Sequence, residues 1–175
     1  MFDIRSITSN IGSVINNFND NISILTIGNE VDNDFDVDDN INFFKIGNYD
    51  DSNYKGEITT NKFWDHLFED LIAMDRIFDI VYINFDRKIL EKISSNKKLI
   101  EKISIICFNI IDEGIIFFQE DMNLNLNQKN INKITIDSEK YKVFMTNKLV
   151  NRFNEIPNKS LKDTINYFID KIISD

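Results

Sequence analysis

Apolar and polar positions alternate along the chain in blocks that predict strands separated by helices. Four short apolar runs end at glycine or at a polar residue, and they are rich in isoleucine and phenylalanine, which is typical of buried strands. These runs span residues 22–28, 41–47, 78–84 and 115–119. Because strands that are apolar on both sides need cover on both faces, we expect one mostly parallel sheet with 78–84 near its centre.

Helical periodicity appears between these strands and at both ends of the chain. Apolar residues recur at three- and four-residue spacing in 4–18, 61–76, 87–111 and 160–173, and Ser94-Ser95-Asn96 predicts a break inside the third stretch. The inner face of the helix over 61–76 is predicted to contain Phe63, Trp64, Leu67, Phe68, Leu71 and Ile72. The run LIEKISIICFNII is apolar nearly all round, so we expect Ile106 and Phe108 to be deeply buried.

Two later runs predict a strand pair at one side of the sheet. KITID at 133–137 and YKVFMTN at 141–147 are close in sequence, which favours antiparallel pairing. A shorter strand is predicted near Lys55–Ile58. Strands alternating with helices predict an α/β fold, a single three-layer Rossmann-like domain over residues 1–175. Its parts are an N-terminal helix in 1–20, a Rossmann-like core in 21–150 and a C-terminal helix in 151–175.

Charge narrows the classes of function open to this chain. The sequence contains 29 Asp and Glu against 20 Lys and Arg, a formal net charge of −9. This excess of acid disfavours direct binding of nucleic acid through its phosphates. No apolar run is long enough to span a membrane, and the first residues lack the pattern of a secretion signal. We therefore expect a cytoplasmic protein that acts through a protein partner and not on a membrane.

Single copies of cysteine and histidine restrict the chemistry further. Cys107 has no second cysteine to pair with, and it lies in the most apolar predicted helix, so we interpret it as a core thiol. His66 is a candidate general base, weighed against a plain position on the polar face of its helix. The alternating acids of 32–38 lack the glycine and the glutamate of a calcium loop, so we expect no metal site.

The chain is rich in isoleucine and asparagine, with 32 and 25 copies, and it contains one alanine and one proline. Codons rich in A and T explain this bias better than any structural need. The bias indicates a gene from an AT-rich genome, such as that of a virus, a plasmid, a parasite or a bacterium.

Three blocks in the middle of the chain carry a family resemblance through their order and spacing. They are GEITTNKFW at 56–64, FDIVYIN at 78–84 and IIDEGIIFFQED at 110–121. In this succession, over about residues 20–150, the chain resembles a class I S-adenosylmethionine-dependent methyltransferase. The resemblance implies a Rossmann-like fold in which 22–28 and 41–47 are the first two strands.

The resemblance also implies where a cofactor would bind. Gly28 and Glu30 stand in the turn after the first strand. Asp50 lies just after the end of the second strand, where the family has an acid that binds the ribose hydroxyls. Glu57 stands where an acid would hydrogen-bond the adenine amino group, and Asn84 is a candidate catalytic residue after the fourth strand. S-adenosylmethionine is the cofactor implied if the chain is an enzyme.

The sequence departs from the family pattern most at the cofactor turn. A working turn contains several glycines, which let the backbone approach the ligand and adopt positive φ. Here Gly28 is followed by bulky residues and by six acids within 29–40, so we expect no bound cofactor. The leading hypothesis is a degenerate methyltransferase-fold subunit that supports a partner enzyme, such as viral RNA-modifying machinery. An active divergent methyltransferase, and a small acidic inhibitor or antidote protein with a basic partner, are the alternatives.

Overall fold

A seven-stranded sheet organises the part of the chain that the computed structural model describes, residues 22–28, 41–50, 52–136 and 139–155. The strand order is β3-β2-β1-β4-β5-β7-β6. The strands are β1 (Ile22–Gly28), β2 (Ile41–Gly47), β3 (Tyr54–Lys55), β4 (Phe78–Asn84), β5 (Ile111–Gln119), β6 (Ile131–Ile136) and β7 (Glu139–Met145). The helices are α1 (Asn61–Ala73), α2 (Arg87–Ser94), α3 (Lys97–Ile110) and α4 (Asn147–Glu155), and a 3₁₀ turn (Gln128–Asn130) precedes β6.

Strand direction confirms the predicted fold class. β1 pairs in parallel with β2 and β4, β2 with β3, and β4 with β5. β7 is antiparallel to both of its neighbours, β5 and β6, so β6 runs in the direction of the first five strands. The sheet is therefore mostly parallel, with 78–84 central and the antiparallel pair at one side, as the sequence pattern predicts. The reversed strand is second from the edge.

The helices begin where the sequence supplies capping side chains. Thr60, Asp86 and Asn96 each accept a hydrogen bond from the backbone N–H three residues further on. Asn96 starts α3 directly after the predicted break at 94–96, so that break is confirmed. No helix within the described ranges combines the length and the apolar composition needed to span a membrane.

Several boundaries differ from those predicted. α3 ends at Ile110 and β5 begins at the next residue, four positions before the predicted strand, because Gly114 and Thr146 exchange hydrogen bonds that hold this segment in the sheet. The helix α4 begins at Asn147, where a strand was predicted to end. The predicted helices at 4–18 and 160–173 lie outside the described residues.

Both faces of the sheet are buried, which is why its strands are apolar on both sides. One set of alternating strand residues joins the core under α1, α2 and α3: Leu25, Ile27, Val81, Ile83, Ile116 and Phe118. The alternate set points to the opposite face and is equally buried: Ile24, Thr26, Ile80, Tyr82, Ile115 and Phe117.

Two side chains expected inside the core are half exposed. Ile72 and Phe108 have 55% and 51% of their surface accessible, so the predictions that they are buried were wrong. The cause is geometric, since α1 and α3 form an outer layer and only one side of each helix packs on the sheet. The Phe108 ring contacts Phe144 edge-on at a centroid distance of 6.3 Å. Burial of Ile106 is confirmed, at 2% exposed.

The different environments of Ile106 and Phe108 lead to different expected losses of stability. Ile106→Ala should lower the free energy of unfolding by about 2–5 kcal/mol, because a buried side chain is replaced by a cavity. Phe108→Ala should cost about 1 kcal/mol, since half of the ring is already in water. Urea unfolding followed by circular dichroism measures both, with exposed Lys98→Ala as a control that changes stability by less than about 0.5 kcal/mol. Equal losses at positions 106 and 108 would contradict this packing.

Burial also governs the reactivity of Cys107. Its side chain is fully buried, and desolvation raises the pKa of the thiol to about 12. Because the thiolate is the reactive form, the native protein at about pH 8 should react with iodoacetamide only through transient unfolding. Mass spectrometry should find slow alkylation that becomes fast in denaturant and that Ile106→Ala accelerates. Fast alkylation of the folded protein would show that the thiol is accessible.

Candidate functional site

The carboxyl ends of the parallel strands meet along one edge of the sheet, and we call this the carboxyl edge. β2 and β3 lie on one side of β1, whereas β4 and β5 lie on the other, so the order of strands changes direction between β1 and β4. Ligands of open α/β sheets bind at such a switch point, outside the carboxyl ends of the strands. Gly28, Asn84 and Gln119 occupy this edge as the last residues of β1, β4 and β5.

Gly28 and Asn84 are direct neighbours in the register of β1 and β4. Gly28 has φ = +109°, which side-chain-bearing residues rarely adopt. A Cβ at this position would lie 2.0 Å from the carbonyl oxygen of Asn84 and 2.9 Å from the Phe85 ring. Only glycine therefore allows the two strand ends to approach so closely. The buried Phe85 ring lies against Gly28 and occupies the space beside it at the switch point.

Gln119 holds Phe85 in place from the end of β5. Its Oε1 accepts a hydrogen bond from the backbone N–H of Phe85 at 2.8 Å, and its Nε2 donates to the Phe85 carbonyl oxygen at 2.9 Å. Gln119 is 8% exposed, so this amide satisfies two backbone groups away from water. Gln119 was not among the predicted site residues. The available signal was one amide at the end of an otherwise apolar strand.

A buried pair of tyrosines orients Asn84. The Tyr141 hydroxyl donates to Asn84 Oδ1 at 3.3 Å, and it lies 3.4 Å from the hydroxyl of Tyr82. Both tyrosines are buried, and their ring centroids are 6.2 Å apart. Tyr141 comes from the reversed strand β7, so the candidate catalytic amide is positioned by a residue that sequence analysis had not connected with it.

The two acids assigned to the cofactor lie in local turns at the other end of the carboxyl edge. Asp50 is fully exposed, and its carboxylate lies 4.0 Å from the ammonium of Lys55. Glu57 is exposed and accepts a hydrogen bond from the Thr59 hydroxyl at 3.3 Å. Glu30 lies outside the described residues.

The connection from β2 to β3 is short for parallel strands, which normally need a crossover of a dozen or more residues. Residues 48–53 suffice because β3 has two residues and pairs only with the end of β2, Ile46 with Tyr54 and Gly47 with Lys55. This short connection leaves no room for a helix beside the end of β2.

His66 is not part of the carboxyl edge. It lies on the exposed side of α1, with its ring Nδ1 4.0 Å from a carboxylate oxygen of Glu69, so its predicted place on a polar helix face is confirmed. The structure thus brings Gly28 and Asn84 together and leaves His66 apart from them. Within the described ranges, no group of three or more His, Cys, Asp or Glu side chains is arranged to hold a metal ion.

A groove of about 820 Å³ opens where β4 and β5 end. Phe85 and Leu90 form its apolar floor, and its walls come from α2, from residues 119–121 and from Lys140. Gly28, Asp50 and Glu57 do not line it. The groove therefore lies beside the switch point, on the side of α2.

Several polar groups of this groove already have partners in the chain. Arg87 pairs with Glu91 at 3.3 Å, and the hydroxyls of Ser94 and Ser95 donate to backbone carbonyls of α2. A hydrogen bond from Lys133 lowers the pKa of Glu120, so this carboxylate stays ionised at neutral pH and is a poor general acid. The lining residues can make polar contacts with a ligand, but they do not include a nucleophile placed beside a base.

Removal of the Gln119 amide tests its role at the carboxyl edge. Gln119→Leu preserves much of the volume but leaves the buried N–H and C=O of Phe85 without their partners, so we expect a loss of about 1–3 kcal/mol of stability. Denaturant unfolding measures the loss. Gln128→Leu, on the exposed 3₁₀ turn, is the matched control and should stay within about 0.5 kcal/mol of the parent. Equal stability of the two variants would show that the amide does not hold Phe85.

Comparison with known proteins assigns no family to this chain. No protein-family model matches it, and no curated protein is significantly similar to it in sequence.

Proposed function

We propose that this chain is a degenerate class I methyltransferase-fold protein that does not bind S-adenosylmethionine and supports a partner enzyme through protein–protein contacts. The observation that carries the proposal is the Phe85 ring against Gly28 at the switch point. A ligand at this position would compete with a buried aromatic side chain whose backbone is held by two hydrogen bonds.

Topology supports the fold part of the proposal. The sheet is mostly parallel with β7 reversed, which is in keeping with the Rossmann-like fold that the sequence resemblance implies. The three sequence blocks fall on the expected parts of this sheet, namely the turn and helix after β3, the strand β4, and the end of α3 with β5. Since one fold hosts many functions, the activity has to be argued from the carboxyl edge.

The geometry of Gly28 argues against a cofactor. A glycine-rich turn normally frees backbone N–H groups, which bind the anionic part of a ligand. Here the freedom of Gly28 serves the close approach of β1 to Asn84 and Phe85. The six acids of 29–40 follow directly in the sequence, and they would repel the carboxylate of S-adenosylmethionine.

The exposed positions of the two acids assigned to the cofactor also argue that S-adenosylmethionine would bind weakly. Asp50 is fully exposed on a turn, close to Lys55, and Glu57 is hydrogen-bonded to Thr59. No helix of the described chain covers the end of β2 beside them, because the connection from β2 to β3 is too short to contain one. A ribose or an adenine bound here would stay in contact with water, which weakens each polar contact.

A support role accounts for the retained fold together with the Phe85 ring that fills the space beside Gly28. Such a subunit needs a stable surface for its partner and no cofactor at the switch point. A cytoplasmic location belongs to the same proposal, since the single cysteine is a buried free thiol. The AT-rich bias is in keeping with a viral gene, and the net charge of −9 leaves nucleic-acid binding to the partner.

Titration calorimetry with S-adenosylmethionine tests the missing cofactor site. The loss of two charge-assisted hydrogen bonds, each worth about 1.5–3 kcal/mol, weakens binding by roughly a hundredfold or more. We therefore expect no saturable heat at micromolar ligand and no methyl transfer by the full chain. An active class I methyltransferase titrated in parallel is the positive control.

Two results would redirect the assignment. An active methyltransferase would be favoured if S-adenosylmethionine binds at micromolar concentration and if Glu57→Ala, at an exposed position, weakens that binding tenfold. The candidate catalytic group would then be the Asn84 amide, which Tyr141 orients. No cofactor binding together with a stable complex between the chain and a small basic toxin would favour the antidote hypothesis.

A further inference from the structure

The strand β6 forms one edge of the sheet. It pairs with β7 along its whole length, from Ile131 with Phe144 to Ile136 with Glu139, without a shift of register. In the strand order of the described chain, no strand lies on its other side. Because alternate residues of an antiparallel pair exchange hydrogen bonds, three of the six residues of β6 direct their backbone N–H and C=O groups away from β7. Another strand can add to this open row of backbone groups.

The composition of β6 favours such an addition. Four of its six residues are isoleucine or threonine, which are typical of strands, and it contains neither proline nor glycine. Proteins commonly protect an edge strand with a proline, a bulge or a charged side chain. Of these three devices, the described ladder of β6 has the charged side chain alone, that of Lys133.

Lys133 belongs to a cluster of three lysines on one face of the β6–β7 pair. It lies directly opposite Lys142 in the register, and Lys140 comes two residues before Lys142, so the three side chains share a face. Like charges directly opposite one another destabilise a sheet. Glu120 compensates part of this charge, since its carboxylate accepts a hydrogen bond from Lys133 Nζ at 2.7 Å. That bond and the charges of the lysines lower the pKa of Glu120, so it stays ionised at neutral pH.

The cluster has an excess of positive charge, because three ammonium groups surround one carboxylate. The other two lysines form no ion pair within the described ranges. The remaining acids of this region are Asp121, which lines the groove beside α2, and Asp137 and Glu139, which follow the end of β6 in the sequence. The middle of the edge, at Lys133, is therefore positive in a chain whose net charge is −9.

This charge identifies the kind of strand that fits. An incoming strand with Glu or Asp opposite Lys133 gains an opposite-charge pair in addition to the hydrogen bonds of the ladder. A second copy of the chain that paired through its own β6 would bring the lysines of the two copies together. A lysine in the middle of the edge thus opposes pairing between copies and favours an acidic strand.

The other face of the incoming strand meets a different surface. Successive side chains of a strand alternate between the two faces of its sheet. On the face without the lysines, β7 presents Tyr141, which is buried, and Val143, which is half-buried. Apolar side chains of the incoming strand fit this face, whereas its acids fit the lysine face.

We propose that the edge of β6 is the docking surface for the partner, and that its occupant is an extended segment of the partner in which acidic and apolar residues alternate. The backbone of this segment adds a further strand to the sheet, and its acids lie on the face of Lys133. The inference rests on the proposed function, because a support subunit requires a surface for its partner.

A synthetic strand serves as the probe. The peptide has eight residues in which Val and Glu alternate, and it carries a fluorophore. One companion has Lys in place of Glu, and two others have N-methyl groups on the backbone of every Val or of every Glu. Fluorescence anisotropy with the full chain should give saturable binding of the Glu peptide and at least tenfold weaker binding of the Lys peptide. One methylated peptide should also bind at least tenfold more weakly and the other within about threefold, because only one edge of the peptide faces β6.

Hydrogen exchange locates the bound peptide. With the Glu peptide at saturation, amides of 131–136 should exchange at least threefold more slowly, because their N–H groups enter a ladder. The amides of α1 and of residues 85–94, which border the groove, should exchange at unchanged rates.

Matched variants test the charge of the edge. Lys133→Glu should weaken binding of the Glu peptide at least tenfold and strengthen binding of the Lys peptide, whereas Lys133→Arg should retain binding within about twofold. The control is Lys98→Glu, which makes the same change of charge at an exposed position of α3 and should leave binding unchanged within about twofold. Circular dichroism and the melting temperature confirm that each variant is folded.

Four results would overturn the proposal. They are equal binding of the Lys peptide, undiminished binding of both methylated peptides, protection of 85–94 in place of 131–136, and undiminished binding by Lys133→Glu. Binding of single-stranded DNA that Lys133→Glu abolishes would also overturn it, because the lysines would then recognise phosphate. Micromolar binding of S-adenosylmethionine would defeat the proposed function without altering the peptide results, so the two failures are distinguishable.

Discussion

The close approach of β1 and β4 at Gly28 is the constraint on which the carboxyl edge depends. Because no side chain fits between Gly28 and the carbonyl of Asn84, the two central strands meet at the switch point without a gap. Phe85 then continues from β4 over Gly28, and the Gln119 amide holds its backbone on both sides. The lack of a side chain at Gly28 thus determines how closely β1 and β4 pack, and the Phe85 ring that this packing admits limits the space for a ligand at the switch point.

The reversed strand β7 and the residue after it make side-chain hydrogen bonds near both ends of β5. At the carboxyl edge Tyr141 donates a hydrogen bond to Asn84, and at the opposite end Thr146 exchanges hydrogen bonds with Gly114. β7 therefore stabilises the sheet through side-chain contacts as well as through its ladder. It does so by filling buried polar positions that would otherwise be unsatisfied, which is costly in a protein interior.

The carboxyl edge and the helical layer differ in what they leave available to other molecules. At the edge, Phe85 and Gln119 satisfy one another, and the acids of the β2–β3 turn lie in water. On the helical layer, Ile72, Ile105 and Phe108 are half exposed although their helices are firmly packed below. Apolar surface that another molecule could cover therefore lies on the helical layer and not at the switch point.

Local chemistry was readable from the sequence, whereas long-range pairing was not. Apolar runs predicted the main strands, and the break at 94–96 and the end of the first strand at Gly28 were placed correctly, because each depends on residues close together in the chain. Periodicity defines a helix face but not the neighbour that covers it, so Ile72 and Phe108 were assigned to the core although only the flank of an outer helix carries them. The insertion of β7 between β5 and β6, and with it the contact of Tyr141 with Asn84 across 57 positions, follows from strand register. Only the tertiary structure decides that register, since it depends on the packing of all seven strands at once.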